Sequence, residues 1–326
     1  MTVGVESPRA EHMAFPTGRW PESKRRMGIG IMVPISDLST FGGTPRFRDI
    51  LEIAQTAEAT GLDIVWVPDH FLMQLEHEYN VLRGVWEGWT TLAGLAARTN
   101  TINLGVLVTC TGFRHPGVIA KMAENLDEIS AGRFVLGLGA GWHKPEYDRF
   151  GFPYSYRVSR FDEALKIIAP LLREGRADFQ GQFYEAHDAV NLPRGLRGDE
   201  GGPPILIGSN SPRMLRLIAQ YGDAWNSDWA RDASVLTPHL DHLTEACVEV
   251  GRDPATIVLT GSSNIAMPGY LGVRLDPITG DNDHIAETLA GFRDLGLRHQ
   301  VAGLDPCTPA SIEQFARVVE ILDRTG

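Results

Sequence analysis

Two ionisable side chains follow an apolar run early in the chain. Pro68, Asp69 and His70 come directly after residues 63–67, which are mostly apolar. In α/β proteins the residues at the carboxyl end of a buried strand face the ligand site. Histidine exchanges a proton near neutral pH. The pattern predicts that His70 and Asp69 take part in proton transfer, and a purely structural histidine is the alternative.

Three alternating glycines follow a second apolar run. Gly137, Gly139 and Gly141 interrupt or follow residues 134–138, and Trp142 and His143 come next. A dinucleotide-binding fingerprint would place its third glycine at Trp142, whose bulk would block close helix–strand packing. The run also belongs to a fourth strand–helix unit rather than the first. It therefore predicts the mouth of an α/β active site and not a Rossmann nucleotide site.

A third strand runs into a turn that suits a phosphate. Residues 204–207 are followed by Gly208, Ser209, Asn210 and Ser211, and then by a helix that starts at Pro212. Free backbone N–H groups, two hydroxyls and the positive end of the helix dipole converge in such a turn. We predict a phosphate cradle at this turn, and an ordinary capped turn is the alternative.

Other polar clusters are less specific. Arg114 and His115 could bind an anion or could cap a helix, and the aromatic residues and arginines at 154–161 could order a loop or contact an anionic cofactor tail. No metal-binding motif is present, so we predict no catalytic metal.

Strand and helix patterns alternate along the whole chain. Apolar runs predict strands at 28–33, 63–67, 102–108, 134–138, 204–207, 224–226, 257–261 and 299–302. Helical periodicity predicts helices at 46–60, 89–98, 117–129, 157–173, 212–221, 235–250, 283–295 and 309–324. Eight such units predict an α/β fold, a closed (β/α)8 TIM barrel with a long insertion after strand 4.

The sequence also contains signals for helix starts and helix ends. Ser211-Pro212 and Thr308-Pro309 predict helix starts. Glycines predict left-handed helix ends at Gly61, Gly132, Gly222, Gly251 and Gly296.

Two connections are longer than a barrel needs. Residues 139–203 and 267–283 follow the predicted fourth and seventh strands, so we expect both to form walls or lids at the barrel mouth. Trp142, Trp86 and Tyr270 lie in or beside the variable loops and predict a substrate pocket with apolar or aromatic contacts.

Composition narrows the classes of partner. The chain has 326 residues and a net charge of −11, which disfavours nucleic acid and anionic membranes as partners. Three dispersed cysteines and the lack of an apolar leader predict a cytoplasmic protein. We expect residues 1–26 to form an N-terminal arm and residues 27–326 to form one barrel domain.

The ordered motifs resemble the luciferase-like monooxygenase superfamily, most closely its actinobacterial deazaflavin (coenzyme F-420)-dependent oxidoreductases. The similarity is strong over residues 28–230, and its carriers are 68–71, 97–99 with 104–105, 113–116, 130–142, 146, 150–151, 157–163, 208–212 and 223–225. One position departs from the sugar-phosphate dehydrogenases of this superfamily, which have a catalytic glutamate where this chain has Trp142. The departure argues against sugar-phosphate oxidation and for a more apolar pocket.

The resemblance implies a flavin or deazaflavin across the barrel mouth. It places a bulge, often with a non-prolyl cis peptide, at Leu107–Val108, where it supports the ring. The implied cofactor contacts are Asp69, Leu107, Val108, Thr109, Ala140, Gly141, His143, Gly208, Ser209, Asn210 and Ser211. It also implies a homodimer.

These patterns lead to one main hypothesis and two alternatives. The main hypothesis is an oxidoreductase that uses coenzyme F-420 for hydride transfer to or from a small apolar or aromatic substrate. The close alternative is an FMN-dependent monooxygenase that receives reduced FMN from a flavin reductase partner. The distant alternative is a non-catalytic flavin-binding barrel.

Overall fold

The chain forms a closed parallel barrel surrounded by helices. The structure, a computed structural model, describes residues 19–37, 43–78 and 80–325. Within these ranges the eight barrel strands are β1 Gly28–Met32, β2 Ile64–Val67, β3 Asn103–Val106, β4 Phe134–Gly139, β5 Ile205–Gly208, β6 Ala224–Trp229, β7 Val258–Ala266 and β8 His299–Asp305. Neighbouring strands pair in chain order from β1 to β8, including β4 with β5. The pairing of β8 with β1 closes the ring. The predicted (β/α)8 barrel is confirmed.

Helices cover the outside of the barrel. They are α1 Phe47–Ala59, α2 Gly88–Ala96, α3 Pro116–Ile129, α4 Lys144–Phe150, α5 Arg157–Arg173, α6 Pro212–Tyr221, α7 Thr237–Glu249, α8 Asn282–Asp294 and α9 Pro309–Arg324. Single 3-10 turns lie at Glu76–Glu78, Thr111–Phe113, Gly198–Glu200, Ala233–Leu236 and Pro254–Thr256. None of the helices in the described ranges has the length and apolar character of a membrane span.

The chain also forms short strands that are not among the eight barrel strands. Leu72–Met73 pairs with Arg83–Gly84, Thr109–Cys110 pairs with β4, and Arg176–Gln180 forms a hairpin with Glu185–Val190. The hairpin belongs to the predicted insertion after β4, together with α4 and α5.

Most helix-end predictions are confirmed, with one correction. Gly61, Gly132, Gly251 and Gly296 have positive φ angles, but Gly222 has φ −78° and extended backbone. The chain passes from α6 to β6 through only Gly222 and Asp223, and Asp223 already pairs with Ile205 through its backbone N–H. An extended Gly222 therefore delivers the chain directly into the sheet.

Burial explains why strands apolar on both faces form this sheet. All residues of β1, β4 and β8 are buried, because one face packs against helices and the other fills the barrel. The barrel interior holds Met32, Trp66, Val135, Leu206 and Val301. We call the end of the barrel at the amino ends of the strands its lower end. There the Trp66 indole N–H donates to Nε2 of the buried His299 at 3.0 Å.

Part of the predicted arm is attached to the lower end of the barrel. Residues 1–18 lie outside the described residues, whereas Arg19 and Arg25 donate hydrogen bonds to Gly201 O and Gly61 O at 2.8 Å each. Arg19 and Arg25 of the predicted N-terminal arm therefore contact the barrel domain.

Candidate active site

The carboxyl ends of the strands surround a cavity of about 810 Å³. Its floor is formed by Leu107 and Val108, which are joined by a cis peptide bond at the position that the resemblance implied. A Cβ added at Gly139 or Gly208 would lie 2.5 or 3.2 Å from a Val108 methyl group. Glycine at these two positions therefore lets neighbouring strands approach the Val108 side chain.

Asp69 is an anchor at the edge of this cavity. Its carboxylate is 2% exposed, and it accepts hydrogen bonds from Arg114 Nη1 and Nη2 at 2.7 and 2.9 Å and from the Cys110 N–H at 3.0 Å. Burial raises the pKa of Asp69, and the ion pair with Arg114 is the main opposing effect. Both oxygens are occupied, so Asp69 ties the end of β2 to the end of β3.

Arg114 is therefore not available for a ligand anion. Besides Asp69, it donates to Glu87 Oε1 at 2.6 Å, and the two carboxylates neutralise its charge. His115, the other residue considered for anion binding, accepts from the Gly117 N–H at 3.1 Å and caps α3. The structure thus favours helix capping for His115 and ion pairing within the protein for Arg114.

His70 is held by a buried carboxylate. Its Nδ1 lies 2.8 Å from Oε2 of Glu146, whose side chain is 1% exposed. Glu146 Oε1 accepts from the N–H groups of Phe71 and Leu72 at 2.5 and 3.2 Å. Burial acts to raise the pKa of Glu146, but the His70 and backbone hydrogen bonds outweigh it and lower the pKa.

An ionised carboxylate fixes the orientation of this histidine. It can only accept, so Nδ1 of His70 must be the donor, and Nε2 is the nitrogen left for a ligand. Glu146 was not among the predicted site residues, although it belonged to the motif that carried the resemblance. It lies on α4, a helix of seven residues that sequence periodicity did not reveal.

Trp142 covers this pair from the cavity side. It lines the cavity, remains 56% exposed, and meets the His70 ring edge-on with a centroid distance of 5.8 Å. The other two residues predicted for the substrate pocket are not part of the cavity lining. The Trp86 indole donates to Pro45 O at 2.7 Å, and the Tyr270 hydroxyl donates to Arg274 O at 2.7 Å.

The predicted cofactor residues divide into two groups. Those that line the cavity are Asp69, Leu107, Val108, Ala140, Gly141, Gly208, Ser209 and Ser211. Asn210, Thr109 and His143 are not among the lining residues. Thr109 and His143 are buried, and His143 Nε2 accepts from the Gln74 N–H at 3.1 Å. Burial lowers the pKa of His143, which favours the neutral acceptor.

The turn after β5 has the features of a ligand cradle. Ser211 occupies the N-cap position of α6 without a capping bond from its side chain, and its N–H donates to Ser209 Oγ at 3.2 Å. Asn210 donates to Asp228 at 3.1 Å, while its buried Oδ1 has no partner among the described residues. Arg213 instead donates to Ser159 on α5 at 3.1 Å. The cradle therefore offers backbone N–H groups, hydroxyls and one unused acceptor.

Of the long insertion, only its beginning lines the cavity. Residues 141, 142, 146, 157 and 158 reach it, together with 273–275 from the connection after β7. The later segment is tied to α3 by ion pairs of Arg194 with Glu124 and of Arg197 with Asp127. Residues 191–203, the last part of the predicted wall or lid 139–203, do not line the cavity, because these ion pairs hold the segment along α3.

Comparison with known proteins identifies the family. The family model described as "Luciferase-like monooxygenase" matches residues 27–268. The chain belongs to the luciferase-like monooxygenase family.

The curated relatives in this family are oxidoreductases. The chain is 34% identical over 251 residues to a phthiodiolone/phenolphthiodiolone dimycocerosates ketoreductase of Mycobacterium sp. (strain JLS), a match that covers 68% of this chain and 65% of the relative. It is 30% identical over 198 residues to a 5,10-methylenetetrahydromethanopterin reductase of Archaeoglobus fulgidus, covering 60% of this chain and 54% of the relative. A pyrimidine monooxygenase of Methylorubrum extorquens is 32% identical over 251 residues, 72% of this chain and 66% of the relative. The chain thus covers less than two thirds of the ketoreductase and of the reductase.

Solved structures share the fold at low identity. An F-420-dependent secondary alcohol dehydrogenase in complex with an F-420-acetone adduct superposes with a TM-score of 0.77 at 20% identity, over 91% of this chain and 99% of that one. An EDTA monooxygenase from Chelativorans sp. BNC1 gives a TM-score of 0.76 at 15% identity, over 93% and 94%. Both support the barrel architecture.

Proposed function

We propose that this protein is an oxidoreductase that uses coenzyme F-420 to transfer a hydride to or from a small organic substrate. The observation that carries the proposal is the buried Glu146, which holds His70 through Nδ1 at the edge of the barrel-mouth cavity. The ketoreductase and the methylenetetrahydromethanopterin reductase among its relatives support a redox reaction of this kind.

The residues around the cavity fit such a cofactor. The Gly208–Ser211 turn would hold the phosphate, because N–H groups at the start of α6 attract an anion. Leu107 and Val108 would support the ring from below. When bound, the deazaflavin supplies two-electron hydride chemistry at the carbon that replaces N5 of a flavin.

The protein's own groups would handle the proton and the water. His70 exchanges a proton at Nε2 with the substrate oxygen, while Glu146 keeps the proton on Nδ1 and stabilises the imidazolium when it forms. Trp142, whose ring lies edge-on to His70, would reduce the access of water to His70 from the cavity once a cofactor is bound. Asp69 contributes indirectly, because it fixes the chain just before His70 through Arg114.

Cofactor titration tests this proposal. We expect the purified chain to bind F-420 more tightly than FMN in a fluorescence titration. A Gly208→Val variant places a branched side chain against Val108 and should weaken F-420 binding at least tenfold. Gly43→Val, at a described glycine with open space around it, is the matched control. Binding of neither cofactor by the unmodified chain overturns the proposal.

A second candidate function is that of an FMN-dependent monooxygenase, which the match to a pyrimidine monooxygenase favours. Such an enzyme takes reduced FMN from a flavin reductase partner. Oxygen consumption that depends on both the chain and reduced FMN would support this candidate over the F-420 reductase.

A further inference from the structure

Arg274 brings a positive charge to the cavity and has no carboxylate within ion-pair distance among the residues that the structure describes. It lies in the connection after β7 and lines the cavity. Its Nη1 donates to Asn264 Oδ1 at 3.3 Å, and its Cζ lies 5.4 Å from the centroid of the Trp229 ring. Within the described ranges, Nε and Nη2 have no hydrogen-bond partner.

The other arginines of the cavity lining have their charge or donors engaged. Arg83 pairs with Glu78 at 2.8 Å, and Arg157 donates to Gly141 O at 3.0 Å while stacking on Tyr154. Arg274 differs from both because, among the described residues, its guanidinium has one hydrogen bond, to an amide oxygen, and one aromatic contact.

The nearest acidic residue along the loop contact does not neutralise Arg274 directly. Asp305 accepts hydrogen bonds from the backbone N–H groups of Val273 and Arg274 at 2.8 and 3.0 Å, so it orders the loop. Burial lowers the pKa of Arg274, Cys307 and the charge of Asp305 oppose this shift, and the charge of Arg83 adds to it. A half-buried cation of this kind gains free energy when a ligand anion pairs with it.

The backbone of β8 leaves room for this side chain. A Cβ added at Gly303 would lie 2.6 Å from Arg274 Nη1 and 2.7 Å from Asn264 Oδ1. Glycine at this position therefore allows the guanidinium to lie against the strand. The guanidinium also contacts the ring of Trp229. The donor group is held in place before any ligand arrives.

We propose that Arg274 binds a carboxylate of the substrate, so that the substrate of the proposed reaction is an organic acid with an apolar or aromatic body. This inference rests on the proposed function for its reaction, but its recognition chemistry is independent of the cofactor. A single planar guanidinium fork matches the charge and geometry of a carboxylate. The exposed face of Trp229, 44% accessible, offers a surface for the apolar part.

Binding of small probes tests the proposal without a known substrate. Benzoate, phenyl phosphate and the neutral benzyl alcohol are titrated into the full chain by calorimetry, with and without F-420. We expect the unmodified chain to prefer benzoate, and Arg274→Gln to weaken benzoate binding at least tenfold while benzyl alcohol binding is unchanged. Arg216→Gln removes the same charge at an exposed ion pair with Glu249 and should behave like the unmodified chain.

Two further variants keep the positive charge but change its position or its shape. Gly303→Ala should displace the guanidinium and weaken benzoate binding, whereas Arg274→Lys should have an intermediate effect because it retains the charge without the fork. Equal binding of benzoate and benzyl alcohol by the unmodified chain, or unchanged benzoate binding in Arg274→Gln, overturns the proposal. A preference for phenyl phosphate that Arg274→Gln abolishes overturns the carboxylate in favour of a phosphate. If the unmodified chain binds benzoate but not F-420, the proposed function is refuted while the test of carboxylate binding by Arg274 still holds.

Discussion

At the scale of single residues, the site separates the group that exchanges a proton from the groups that hold it. His70 has one ring nitrogen engaged by Glu146, and Asp69 has both oxygens engaged by Arg114 and Cys110. Adjacent residues in the chain therefore have different roles. We propose that His70 is the candidate for proton transfer and that Asp69 acts as a positioning residue.

Replacing Glu146 tests the role of its carboxylate. Glu146→Gln should lower kcat by roughly 100-fold with little change in KM, because glutamine no longer fixes the proton on Nδ1 of His70. The ¹⁵N chemical shifts of the His70 ring should show the proton leaving Nδ1 for part of the population.

A matched control exists on α5. Glu163 also accepts three backbone N–H bonds, from Gln182, Phe183 and Tyr184, but it contacts no histidine. Glu163→Gln should leave kcat and the ring shifts unchanged. Equal losses of kcat in the two variants would mean that Glu146 acts only through stability.

Replacing Asp69 tests its role as an anchor. Asp69→Asn should lower the free energy of unfolding by about 3 kcal/mol, because it leaves the half-buried Arg114 with Glu87 as its only carboxylate partner. Denaturant unfolding measures the change. Asp148→Asn, at an exposed pair with Lys144, should cost less than about 0.5 kcal/mol. Unchanged stability together with lost activity would instead support the predicted role of Asp69 in proton transfer.

At the scale of elements, the buried pair of β2 and β8 makes folding sensitive to acid. The Trp66 N–H requires a neutral His299 as its acceptor. Burial lowers the pKa of His299 to about 4, against an ordinary value of 6.5. The contribution to stability is complete above pH 6.5 and is lost as the pH falls towards 4, since the unfolded chain binds the proton first.

The pH dependence of unfolding measures this effect. The free energy of unfolding should fall by about 3 kcal/mol between pH 6.5 and 4 from His299 alone. His299→Gln, whose amide oxygen can accept from Trp66, should remove that part of the slope. An identical slope in the variant would show that other groups cause the acid sensitivity.

The elements also show what the sequence could predict and why the rest escaped. The eight strands and eight of the nine helices followed from apolar periodicity and from helix-end signals, because these patterns reflect burial. The strands β6, β7 and β8 extend beyond the predicted ends, to Trp229, Ala266 and Asp305. The extensions contain polar residues such as Ser227, Ser262 and Asn264, which line the cavity and so lack an apolar pattern.

Site residues were predictable where a strand or a glycine turn marked them. His70, Gly141 and Gly208 follow recognisable strands and do line the cavity. Glu146 and Arg274 had no such signal. One lies on a helix too short to show periodicity, and the other lies on a connection whose path depends on Asp305, a residue distant in the chain.

At the scale of the whole molecule, the cavity and the attachment of the N-terminal residues lie at opposite ends of the barrel. The cavity is at the carboxyl ends of the strands, whereas residues 19–26 attach at the other end. In barrels of this class the face with the strand amino ends serves stability. Substitutions at the lower end should therefore change folding without changing binding.

Arg25 offers a direct test of this separation. Its guanidinium donates to Gly61 O, pairs with Asp63 and reaches Asp323 at the end of α9, so it joins the N-terminal residues to the connection before β2 and to α9. Arg25→Gln should lower the free energy of unfolding by about 1 to 2 kcal/mol, because the contact with Asp63 is partly shielded from solvent. Arg176→Gln breaks an exposed pair with Asp188 in the hairpin and should cost less than about 0.5 kcal/mol. Both variants should bind F-420 and benzoate as the unmodified chain does, and weaker binding in Arg25→Gln alone would show that the lower end of the barrel is coupled to its mouth.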